Sequence, residues 1–130
     1  MPVIDVDWQS LVAGGAALAY DTAPGEGTTG TVTLSETAAN FSKLTIWGRY
    51  SDMQTATTLV NPNKRACTIQ LFVPNGCPAT MVYIKSSRLD VSGTNITNNG
   101  WVSMWLSAST THFDATSAPE ISIIRVEGRR

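Results

Sequence analysis

Short runs alternating apolar and polar residues at period two recur through this chain, and no stretch sustains a helical period. That pattern constrains the fold most, because alternate side chains of a strand point to opposite faces and only one face can be core. "TVTLS" (31–35) sets Val32 and Leu34 against threonines, and "KLTIWGRYS" (43–51) sets Leu44 and Ile46 against Thr45, Trp47 and Arg49. "CTIQLFV" (67–73) opposes Ile69, Leu71 and Val73 to Thr68, Gln70 and Phe72. "TMVYIKSS" (80–87) opposes Val82 and Ile84 to Met81 and Tyr83, and "WVSMWLS" (101–107) opposes Val102, Met104 and Leu106 to Trp101, Ser103 and Trp105. "EISIIRVEG" (120–128) is apolar on both faces at Ile123–Ile124, as a central strand is.

Turn signals punctuate these runs: "PGEGTTG", "NPNK", "PNGCP", "SGT", "NNG" and "SAP". Many short strands so separated predict an all-β fold, an antiparallel β-sandwich of jelly-roll-like kind. At most one short N-terminal helix is expected, within Trp8–Leu18, where Gly14 and Gly15 weaken it by about 1 kcal/mol each. Residues 1–16 read as an N-terminal segment and 17–130 as the sandwich domain.

Composition narrows the function. Charged residues make up 15% of the 130, and Thr, Ser and Asn supply the polar surface. A net charge of −1 offers no footprint for nucleic acid or an anionic membrane, and no apolar run reaches the roughly 20 residues of a membrane span. "LVAGGAALAY" (11–20) lacks a basic leader and follows Asp5 and Asp7, so it is not expected to be a secretion signal. Cys67 and Cys77 make no metal motif and are expected to be free thiols.

Catalytic constellations are absent from the pattern. His112 is the sole histidine, no Gly-x-Ser-x-Gly elbow accompanies it, and His112 with Asp114 reads as an exposed loop or edge. The ten acids are scattered singly apart from "DVD" (5–7), which gives neither a glycosidase pair nor enough oxygens for calcium. "PGEGTTG" lacks the lysine and helix of a phosphate loop. No enzyme, cofactor or metal is therefore expected.

The aromatic residues remain. Trp47, Trp101 and Trp105 fall opposite the aliphatic residues of their own strands, and Arg49 shares the face of Trp47. Three destinations fit such residues: the core, if a strand faces the other way; a subunit interface, where aromatics and Arg are enriched; or a sugar-stacking surface.

Four segments in order carry a family resemblance: "GTVTLSE" (30–36), "NFSKLTIWGRYSD" (40–52), "YIKSSRLDVSGTNIT" (83–97) and "ISIIRVEGRR" (121–130). Together they resemble a β-sandwich domain of bacteriophage and prophage tail fibres, receptor-binding proteins and minor structural proteins. The resemblance spans about residues 17–130. It implies a non-enzymatic virion protein of tail-fibre, receptor-binding or head-fibre type, assembled in the host cytoplasm. Its expected partners are its own copies as a homotrimer, other virion proteins and a host cell-surface glycan. The alternative is a carbohydrate-binding module of a secreted protein. Trp105, Trp47, Trp101 and Arg49 are the ligand or interface candidates under either reading. Within the recurring motifs, Phe41 is expected to anchor the core beneath a turn at Asn40, and Gly93 to take a positive φ. Arg125, in an apolar strand, is expected to need a carboxylate partner if buried, with Asp52 or Asp90 as candidates.

Overall fold

A computed structural model describes residues 16–21, 27–75, 79–114 and 119–130. Its strands are β1 (Ala16–Asp21), β2 (Thr31–Thr33), β3 (Lys43–Tyr50), β4 (Met53–Val60), β5 (Arg65–Pro74), β6 (Met81–Ser92), β7 (Asn95–Ser107), β8 (Thr111–Asp114) and β9 (Ser122–Arg129). They form two antiparallel sheets, ordered β1-β9-β3-β4 and β2-β7-β6-β5, with β8 pairing β7 beyond β2. The fold is an all-β antiparallel sandwich. Chain winding is jelly-roll-like: β1, β2 and β3 alternate between the sheets, and β9 and β7 return from the far end of the chain to pair with them. Four consecutive antiparallel pairs, β3–β4, β5–β6, β6–β7 and β7–β8, stay within one sheet each, and β3–β4 and β6–β7 are hairpins closed by two-residue turns.

The turn residues explain those hairpins. Ser51 takes φ 56° between β3 and β4, and Gly93 takes φ 58° between β6 and β7, where no Cβ opposes it. The crossing from β4 to β5 uses Asn61 at φ 48° and Lys64 at φ 60°. Before β3, a single 3-10 turn at Ala38–Asn40 is capped by Thr37, whose Oγ1 accepts from the Ala39 N–H at 3.3 Å. Phe41 follows this turn and is buried, so it anchors the corner.

Alternation places the core between the sheets. Leu44 and Ile46 of β3, Ile123 and Val126 of β9, Ile69 and Leu71 of β5, Leu89 and Val91 of β6, and Ile96 of β7 all point inward and are buried. Two glycines let the layers meet. A Cβ on Gly48 would stand 2.7 Å from Ile69 and 2.8 Å from Ile121, and one on Gly128 would enter the Phe41 ring.

Three expectations are narrowed or corrected by the strands. Within the proposed Trp8–Leu18 helix, Ala16–Leu18 belong to β1, paired with Leu18 opposite Glu127; residues 8–15 lie outside the described residues. Arg125 pairs with neither Asp52 nor Asp90. Its guanidinium donates to Glu127 at 2.8 and 3.0 Å, two positions along on the same outer face, where solvent reaches both. Asp90 accepts instead from Arg88 and Asn99.

The third correction concerns β7. Its register against β6 shifts between Ser86 and Arg88, because three steps from Asn99 to Val102 oppose two on β6. This bulge at Gly100–Trp101 reverses the alternation. Ile96 and Asn98 point inward before it; after it Ser103 and Trp105 take the inner face, and Val102, Met104 and Leu106 turn outward. The aliphatic side of "WVSMWLS" is thus the outside of the sandwich.

Candidate functional site

The inward row of β6 runs Val91, Leu89, Ser87, Lys85, Tyr83, so the core turns from apolar to polar along one strand. Lys85 sits across the ladder from buried Leu71 on one side and Ser103 on the other. Its side chain is only 8% exposed. A buried ammonium requires partners, and four surround it. Nζ donates to Ser103 Oγ at 2.7 Å and to Glu120 Oε1 at 3.0 Å. It also lies 5.0 Å from the Tyr50 ring centroid and 5.5 Å from that of Tyr83, within cation–π range. Glu120 precedes β9, Tyr50 ends β3, and Ser103 belongs to β7, so four separate segments converge.

Tyr83 and Trp105 are direct cross-strand partners one inward step beyond Lys85 and Ser103. Because Tyr50 ends β3 and packs over Lys85, these two rings stand about 6–7 Å farther along the second sheet than the last residue of β3. Trp105 is half-buried and stacks on exposed His112 of β8, with centroids 5.3 Å apart and planes 17° from parallel. An open depression of about 550 Å3, lined by Ala79, Met81, Leu106 and Ala108 among others, lies at the same end of the sheet.

The candidates named from sequence do not converge. Trp105 belongs to this cluster, on the inner side of the second sheet. Trp47 and Arg49 lie on the outer face of the first sheet, so they cannot share one small ligand with Trp105. There Arg125 covers the Trp47 ring at 5.8 Å, while the Arg49 carbonyl accepts from Ser122 Oγ at 3.3 Å. Arg49 Nε is buried without a hydrogen-bond partner. The backbone of Trp101 runs through β7, and its side chain lies outside the described residues. Lys85, Glu120, Tyr50, Tyr83 and Ser103 are not among the ligand candidates that the strand patterns point to. The available signal was "YIKSS": a lysine two positions from a tyrosine on the inward side of a strand.

The cluster presents aromatic and hydrogen-bonding surface at the end of the sandwich. Glu120 is bound to Lys85, and His112 stacks on the Trp105 ring. Among the described residues, no three metal-ligating side chains gather. What remains is two aromatic faces, hydroxyls of Tyr83 and Ser103, and a compensated ion pair. Stacking surface beside neutral hydrogen-bonding groups matches a polar ligand of low charge. No protein-family model matches the chain, and no curated protein matches it by sequence.

Proposed function

We propose that this protein is a non-enzymatic virion structural protein, of tail-fibre, receptor-binding or head-fibre type, that recognises a glycan on the host surface. The observation that carries the recognition is the Trp105–His112 stack beside Tyr83 at one end of the sandwich, backed by the Lys85–Glu120 pair. Aromatic faces suit the C–H face of a sugar ring, and the hydroxyls and ion pair suit its oxygens. The four ordered motifs between Gly30 and Arg130 support the virion setting. Individual polar contacts of this kind are worth about 1 kcal/mol net, so one site binds weakly. Several copies on a particle raise overall binding by about 10²–10⁴-fold.

The test is binding by protein tetramerised on streptavidin, applied to a panel of bacterial cells and to immobilised surface polysaccharides. Wild type is expected to bind a subset of strains, and Trp105→Ala to lose most of that binding while keeping its far-UV circular dichroism. No reducing sugar should be released. Release that disappears when Glu120 is changed to Gln refutes the non-enzymatic reading. Binding to plant or fungal polysaccharide alone points to a carbohydrate-binding module instead.

A further inference from the structure

The outer face of the second sheet carries one apolar row across four strands. Phe72 of β5 pairs with Ile84 of β6, Ile84 with Met104 of β7, and Met104 with Phe113 of β8. Phe72 is 57% exposed and Phe113 61%, while Ile84 and Met104 between them are half-buried. The row is therefore shaped: two rings stand at its ends above a shallow floor. Val82 and Leu106, partners on the next rung, extend the floor. The bulge at Gly100–Trp101 creates this face, since without it Met104 and Leu106 would point into the core.

We infer that this face is a contact between two copies of the chain. Three observations select a second copy as the occupant. The outward positions from Gln70 to Pro74, Val82 to Ser86, Val102 to Leu106 and Thr111 to Phe113 carry no charge, and Arg88, the next outward residue of β6, is already paired with Asp90, so an identical face meets it with little like-charge repulsion. The relief is self-complementary, because a ring from one copy fills the floor of the other, as a two-fold contact requires. The size also fits. A phenylalanine offers roughly 200 Å2, so the two rings expose over 100 Å2 each. With the half-buried aliphatics the face reaches on the order of 400–500 Å2 of apolar surface, near the upper limit of what a monomer leaves uncovered. A polar margin including Gln70 and Ser86 brings it close to the about 600–800 Å2 per partner of a specific interface.

The contact is independent of the glycan reading. It sets Met104 in the interface and Trp105, its neighbour on the opposite face, free for a ligand.

Sedimentation equilibrium over a concentration series tests the inference. Wild type is expected to show twice the 13.9 kDa monomer mass at tens of micromolar. Phe72→Glu and Phe113→Glu, both exposed and tolerant of change, should each weaken association at least tenfold and keep the circular dichroism spectrum. Val60→Glu, at a residue 55% exposed on the outer face of the first sheet, should change nothing. A monomeric wild type overturns the inference, as does assembly of any copy number that survives both phenylalanine changes. Equal disruption by Val60→Glu overturns it too.

Discussion

Lys85 and Glu120 meet at 3.0 Å on the inner side of the sandwich, at a position whose neighbour across the ladder is the buried Leu71. The strand pattern demands an apolar residue there, and the protein holds an ion pair. Removing the carboxylate strands a buried ammonium, whereas replacing the lysine by an apolar side chain of similar length leaves only Glu120, which is 32% exposed and open to water. Glu120→Ala is therefore expected to cost about 1–3 kcal/mol, below the full range for buried pairs because Glu120 is 32% exposed. Lys85→Met should stay within about 1 kcal/mol of wild type. Urea denaturation midpoints decide it, and the reverse order would show that the ammonium is stabilised by the rings and Ser103 alone.

Gly128 and Phe41 give a second test. The phenylalanine ring lies directly on the backbone of β9, in the space a Cβ at position 128 would need. Gly128→Ala is expected to destabilise by about 1–3 kcal/mol through overpacking. Phe41→Ala and Ile46→Ala should cost about 2–5 kcal/mol each by leaving cavities. His112→Ala, on an exposed strand, should fall within about 0.5 kcal/mol. Thermal or denaturant melts measure all four, and a neutral Gly128→Ala would mean the ring moves freely.

Acid stability should carry a contribution from Glu36. The Arg130 guanidinium donates to both its oxygens, at 2.9 and 2.7 Å, and holds the carboxyl below its ordinary value of 4.5; a bond from Asn40 adds to this. Since the folded carboxyl titrates lower than the unfolded one, the unfolded chain takes up the proton first as pH falls. The stabilisation is complete above about pH 4.5 and disappears as pH drops through the lowered folded value. Both side chains are about a third exposed, so the effect is below about 1 kcal/mol. Melts of wild type and Glu36→Gln between pH 3 and 7 should converge at the acid end and differ at pH 7, and parallel curves would exclude the pair.

Cys67 should react slowly. Burial first, and the charge of Asp90 second, push its thiol above the ordinary value of 9.0, so little thiolate forms near neutrality. Alkylation with iodoacetamide at pH 8, followed by peptide mass spectrometry, is expected to modify Cys67 slowly in the folded protein and readily in urea. Equal rates in both states would show that the site opens. Among the described residues Cys67 stands as a free thiol, and Cys77 lies outside them.

Much of the sandwich was legible as local pattern. Leu44 and Ile46 against Trp47, and Ile69 and Leu71 against Phe72, announce both the strands and their inner faces, because each strand has one clearly apolar side. Gly93 at a tight turn and Phe41 behind one follow from backbone sterics and short-range chain geometry. Tertiary structure decided the rest. On β7 both faces hold large apolar residues, and a single extra residue at Gly100–Trp101 exchanges them, which periodicity cannot reveal since it depends on pairing with β6. Lys85 reads as a surface residue until Glu120, Tyr50 and Ser103 arrive from distant segments to make its burial tolerable. Sequence determines which residues a strand can hide on one side; only the assembled sheets determine which side is hidden and what waits there to satisfy a charge.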